Sequence, residues 1–131
     1  DDIDIHHVFP QAWCKKQGIE KGVFDAIINK TPLSKLSNIS VGGDAPSVYL
    51  KRIEEKQGIA AADLDAILRT HLIEPAHLRA DDFKAFYEAR SKALAELVAG
   101  AMQKPVVEEA GTNEAEQEDD STEVDEELEA A

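Results

Sequence analysis

Apolar and polar residues alternate at the start of the chain, where Ile3, Ile5 and Val8 interleave with Asp4, His6 and His7. A period of two predicts a short strand that Pro10 helps to end, with His6 and His7 on opposite faces near its end. The run AWCKKQG reads as a brief helix or turn closed by Gly18, and Val23, Phe24, Ile27 and Ile28 as an apolar patch before Asn29. A second short strand is expected over residues 30–33, at a sheet edge because Pro32 has no N–H to donate. Ser34 suits the N-cap of a short helix carrying Lys35, Leu36, Ser37 and Asn38, and Gly42-Gly43 terminates or bends the segment after it.

Downstream the period becomes helical. Pro46 opens a helix through SVYLKRIEEKQ, with Val48, Leu50 and Ile53 as its apolar contacts and Gly58 as its stop. Residues 63–72 repeat Leu64, Ile67, Leu68 and Leu72 near helical spacing. Residues 83–102 form a long amphipathic helix using Phe83, Phe86, Tyr87, Leu94, Leu97 and Val98, which braces the earlier elements rather than doing chemistry. His71 and His77 are read as packing or surface residues, and Trp13 and Tyr49 as core or rim aromatics in preference to base-stacking groups. Strand, long connection, strand and helix followed by further helices define an α+β class.

Composition bounds this picture. The 131 residues are 43% hydrophobic but only 5% aromatic, which suits a small, helix-heavy domain. No apolar run reaches the ~18 residues of a membrane span, and no signal pattern opens the chain, so no membrane contact and a cytoplasmic location are expected. DDIDI reads as a strand already under way, as in the C-terminal part of a longer protein. Cys14 is the one cysteine, which excludes an internal disulfide or a paired-thiolate zinc site. Nothing in AWCKKQG activates its thiol, and a small core residue is the reading.

The net charge of −13 is unevenly spread. Residues 1–105 hold all 14 Lys and Arg against 15 acids, and residues 106–131 hold the other 12 acids and no base. Two regions result: a domain over 1–105 that is nearly neutral and compatible with nucleic acid, and an expected disordered acidic tail over 106–131. Solubility is the default role for that tail, and its partner, if it has one, is unidentified.

His6-His7, Asn29 and Asn38 carry the chemistry. An imidazole from His6 and an amide oxygen from Asn38 are two ligands for a hard divalent ion, leaving its other positions for water and phosphate oxygens, as magnesium or manganese requires. His7 is then the general base that takes a proton from attacking water. Asn29 suits either a strut that fixes the His7 backbone or a simple turn residue.

The run HHVFP, succeeded by INKTPLSKLSN and GGDAPSVYL, resembles the HNH, or beta-beta-alpha-metal, endonuclease superfamily, and within it the C-terminal nuclease domain of GmrSD-type modification-dependent restriction proteins. The resemblance covers residues 3 to about 50, with looser helical similarity through Pro105. It implies a small beta-beta-alpha-metal core with additional C-terminal helices around one divalent ion, Mg2+ or Mn2+. His6 and Asn38 fall on the metal ligands, His7 on the catalytic histidine, and Asn29 on the central asparagine that steadies the loop. Asp4 is placed either to orient an imidazole or as a solvated acid. The implied activity is DNA phosphodiester hydrolysis in restriction or phage defence, with an N-terminal nucleotide-hydrolysing and sensing domain that this chain lacks. One departure matters: Ile39 stands after Asn38 where many relatives carry arginine, so phosphate binding falls to Lys35, Lys51 or Arg52, or is missing. The competing expectation is a catalytically inactive nucleic-acid-binding or structural module with an acidic interaction tail.

Overall fold

Local signals determine where the helices begin and end in the computed structural model, which describes residues 4–34 and 43–103. Pro46 occupies the first turn of a helix over Pro46–Gln57, where its missing N–H costs nothing. Gly58, at φ 61°, closes the same helix in the left-handed region, and Glu54 O accepts from the N–H groups of both Gly58 and Ile59. Asp82 Oδ1 accepts from Ala85 N at 3.1 Å, capping the helix Phe83–Gln103.

In chain order the elements are β1 (His6–His7), α1 (Gln11–Lys16), α2 (Lys21–Phe24), a 3-10 turn (Ile27–Asn29), β2 (Lys30–Thr31), α3 (Pro46–Gln57), α4 (Ala61–Thr70), α5 (Pro75–Arg79) and α6 (Phe83–Gln103). β1 and β2 pair antiparallel, His6 opposite Thr31 and His7 opposite Lys30. The fold is therefore mixed but mostly helical around one two-stranded sheet, compatible with the α+β class. The second strand ends at Thr31 rather than at residue 33. The short helix expected after Ser34, with Lys35 and Asn38, lies outside the described residues, as does the acidic tail.

The chain divides into two units, one ending at Glu96 and the other beginning at Leu97. In the second, the described residues are the last turns of α6, where Leu97 and Val98, expected on the apolar stripe, are exposed, as is Met102. In the first, the scarcity of aromatics is offset by their concentration. The Phe9 ring lies 5.1 Å from Trp13, 5.2 Å from Phe83 and 5.1 Å from Phe86 between centroids. Such pairs add about 0.5–1.5 kcal/mol each beyond area burial. Tyr49, Leu50, Ile53, Leu64, Leu68, Ile73 and Leu78 complete the core from α3, α4, α5 and the α4–α5 turn. The expected patch before Asn29 does not form: Phe24 is buried, while Ile27 is 76% exposed. Val48 likewise faces outward, and Tyr49 takes the inward place beside Leu50 and Ile53.

Phe9 anchors the segment that carries the histidines, two residues after His7. Its N–H donates to Asn29 Oδ1 (2.9 Å), and its carbonyl accepts from Asn29 Nδ2 (3.0 Å). Val8 is held from both sides, its N–H by Asn29 O at 2.8 Å and its carbonyl by the buried Tyr49 hydroxyl. Gly43, at φ 85°, packs so tightly on α1 that a Cβ there would sit 2.7 Å from Ala12 Cβ.

Candidate functional site

A strand places successive side chains on opposite faces, and directly opposed residues of an antiparallel pair share a face. His7 and Lys30 form one such pair, and both reach Asp25. Nε2 of His7 lies 2.9 Å from Asp25 Oδ1, and Lys30 Nζ lies 3.5 Å from the same oxygen. Lys21 Nζ donates to Asp25 Oδ2 at 2.9 Å from one turn earlier. Hydrogen bonds from Lys21 and His7, with both ammonium charges, hold the Asp25 carboxyl well below the usual carboxylate range. An ionised carboxylate only accepts, so the hydrogen of a neutral His7 sits on Nε2 and leaves Nδ1 as the free acceptor.

His6 and Thr31 share the other face. His6 Nε2 is buried and makes no hydrogen bond among the described residues. A buried nitrogen without a partner is costly, and a ligated cation is one way to satisfy it. Beside it, Thr31 Oγ1 and His71 Nδ1 are 3.0 Å apart, and burial together with the Arg90 charge draws the His71 pKa down. His71 is thus a packing residue, as its sequence context suggests.

Asn29 is fully buried. Its Oδ1 accepts from Phe9 N, and its Nδ2 donates to Phe9 O and to Phe24 O at 2.8 Å. It is a strut, as one of the two expectations had it, but the backbone it grips is that of Phe9 rather than His7. Its amide is fully spent on the backbone beside the histidines, and its side chain presents no surface of its own.

Other expectations are redistributed. Asp4 is exposed and touches neither imidazole; Asp25 is the carboxylate that orients His7. Arg52 is engaged by Asp44 at 2.6 Å, so it is not a free phosphate clamp. Lys51 is exposed and borders, with Ser47 and Arg52, a surface cavity of about 360 Å³. Lys35 and Asn38 lie outside the described residues, and among the described residues no group of three His, Cys, Asp or Glu is arranged to hold a metal. Cys14 is buried, which pushes its thiol up to about 11, and it is inert. Tyr49 and Trp13 pack against the core rather than waiting for a base.

Arg90 was missed by sequence reasoning. It is 6% exposed, and its guanidinium donates to His71 O (3.1 Å), Ile28 O (2.7 Å), Lys30 O (2.8 Å) and Ile27 O (3.4 Å). It therefore ties α6 to the turn and strand that carry Asn29 and Thr31. The signal was available: Phe83, Phe86, Tyr87, Arg90 and Leu94 lie along the apolar stripe of α6, and an arginine on that stripe has to find buried acceptors. Asp25 left no comparable trace, because an acid 18 residues from His7 in a turn is ordinary.

No protein-family model and no solved structure matches the chain significantly. One curated protein, the uncharacterized protein MJ0686 of Methanocaldococcus jannaschii, is 30% identical to it over 78 residues, which cover 54% of this chain and 13% of that protein. The chain thus spans about one eighth of the length of the relative it matches.

Proposed function

We propose that the chain is a divalent-metal-dependent DNA endonuclease module of the beta-beta-alpha-metal kind, working in restriction or phage defence beside a nucleotide-hydrolysing and sensing domain. One observation carries the reading: adjacent histidines at a strand end have different surroundings. His6 offers a buried Nε2 that no described protein group satisfies, and His7 is held through Nε2 by Asp25 with Nδ1 left over. The two rings leave the strand on opposite faces, so the reading requires an ion on His6 and a base on His7 to meet the phosphate around the strand end, which comes immediately after His7.

In this reading His6, with Asn38 from the segment after β2, holds one magnesium or manganese ion. That ion supplies Lewis-acid polarisation of the phosphate and charge stabilisation at the leaving oxygen. His7 Nδ1 accepts the proton of the attacking water. Asp25, tied to Lys21 and Lys30, stabilises the imidazolium this produces and keeps the ring from turning. Asn29 acts at one remove, through Phe9.

Plasmid DNA incubated with the 131-residue protein and Mg2+ or Mn2+ tests the proposal. Nicking should stop with EDTA and fall by about 10²–10⁴-fold in His7→Ala, the usual weight of a general base. Mn2+ should broaden the Val8 amide resonance by NMR in wild type and in His7→Ala, but not in His6→Ala. Equal cleavage by wild type and His7→Ala, with contaminating nuclease excluded, overturns the catalytic assignment. A second reading, a catalytically silent nucleic-acid-binding or structural module, is favoured by Ile39 standing after Asn38 and by the pairing of Arg52 with Asp44, which takes up a candidate clamp for the scissile phosphate. It predicts metal-independent DNA binding that survives His6→Ala and Asn38→Ala.

A further inference from the structure

Arg90 carries a charge that the domain's own chemistry leaves half answered. Among the described residues its four hydrogen bonds all come from Nε and Nη1, and every acceptor is a neutral carbonyl. A guanidinium has five donors in a rigid fork, so the two hydrogens on Nη2 stand outside this set. Burial draws the Arg90 pKa down, and no ion pair among the described residues offsets that cost. Buried arginines are ordinarily paired with an anion.

The same residue borders a cavity of about 590 Å³, within the ~300–1,000 Å³ common for small-molecule sites. Its walls are otherwise mostly apolar. Leu94 of α6, Pro32 after β2, Ile27 and Ile5 line it, and Lys30 and Thr31 contribute alongside, the ammonium of one turned to Asp25 and the hydroxyl of the other held by His71. Ile27 is 76% exposed and Ile5 is 57% exposed, two large apolar side chains left open beside one buried cation. An occupant that satisfies both is an anion with an aliphatic body. A nucleotide or sugar phosphate would leave its hydroxyls unmatched against these walls.

We propose that this cavity is a binding site for a small aliphatic carboxylate, its head group accepting from Arg90 Nη2 and its tail lying over Ile27, Ile5 and Leu94. The site borders the histidine strand, since it shares Lys30 and Thr31, the cross-strand partners of His7 and His6, but neither imidazole lines it and the proposal does not depend on the nuclease reading. A charge-assisted hydrogen bond in an apolar setting gives the head group its selectivity, and the exposed isoleucines supply the contact area.

Octanoate, octan-1-ol and octylammonium titrated into the methyl-labelled 131-residue protein provide the test. Octanoate should give saturable shifts confined to the methyls of Ile5, Ile27 and Leu94 and to Arg90 Nε–H. The alcohol and the ammonium should bind about tenfold or more weakly, since neither answers the guanidinium. Ile27→Asp, made on an exposed side chain and so expected to fold, should weaken octanoate by about tenfold through like-charge repulsion and lost apolar contact. Arg90→Gln, where it folds, should erase the preference for acid over alcohol. Equal binding of the three probes, no saturable octanoate shift, or an unchanged affinity in Ile27→Asp overturns the proposal.

Discussion

Asn29→Ala should remove a large share of the stability of the first unit. The substitution deletes an amide that satisfies three buried backbone groups: Phe9 N–H, Phe9 C=O and Phe24 C=O. A buried polar group left without its partner costs about 1–3 kcal/mol. The three are not independent, because two belong to one residue and Phe9 O keeps a long contact from Cys14 Sγ at 3.5 Å. The sum is then about 3–5 kcal/mol, against a total stability of about 5–15 kcal/mol for a small domain. Urea unfolding monitored by the fluorescence of Trp13, the one tryptophan, reads the change where it occurs, since the indole packs on Phe9. The midpoint should fall while the slope stays the same. Asn29→Asp is the sharper comparison. It keeps an acceptor for Phe9 N but turns a second acceptor on two carbonyls, so it should be no better than alanine although it is nearly isosteric. A loss below about 1 kcal/mol for alanine, or a stable aspartate variant, refutes the strut; a folded alanine variant that has lost only DNA cleavage would instead make Asn29 a substrate contact.

Asp25 has a folded-state pKa depressed by Lys21 and His7, so its contribution is present above its unfolded value of about 3.9 and is lost as pH falls below that. Asp25→Asn should therefore flatten the acid limb of a thermal-stability profile, and nitrogen NMR of His7 in Asp25→Ala should show a mixture of tautomers where wild type holds Nε2–H; an unchanged tautomer would separate Asp25 from His7. For His71 the folded pKa is also lowered, by burial and then by the Arg90 charge, but this group is a base. Its contribution is present above about pH 6.5 and lost as pH falls, so the drop in melting temperature from about pH 7.5 to about pH 5.5 should be smaller in His71→Asn than in wild type. Gly18→Ala and Gly43→Ala both force a side chain into positive φ, at 76° and 85°, but only the second meets another atom, Ala12 Cβ. Gly18→Ala should cost about 1–2 kcal/mol and Gly43→Ala about 1–3 kcal/mol more by urea unfolding, and equal losses would place the whole effect in the backbone.

What the residue pattern could reveal depended on how local each cause was. Helix ends were legible because Pro46 and Gly58 act through their own backbone geometry, and β1 because alternation over a few residues suffices. Boundaries failed where a distant group decides them. β2 stops at Thr31, whose side chain is claimed by His71 from 40 residues away, and Lys30 O is taken by Arg90 from 60 residues away. Neither partner announces itself in the run KTPL.

The same distinction explains the site. His6 and His7 stand out because two adjacent imidazoles are uncommon and chemically able, but the feature that separates their surroundings is not in their own run. It comes from an unremarkable turn acid held between two lysines, Asp25, and from a strand register that puts His7 opposite Lys30 while His6 faces Thr31. A one-residue slip of that register would exchange the two faces and carry His6, not His7, to the carboxylate. Register is in turn pinned from outside the sheet, by Asn29 on Phe9 and by Arg90 on the carbonyls of Ile28 and Lys30. The difference between the surroundings of the two histidines is thus a property of the packing around two paired two-residue strands. Substitutions at Asn29 or Arg90 that preserve overall folding should consequently alter the His7 tautomer before they alter the bulk of the core, an order that nitrogen NMR of the imidazoles can establish directly.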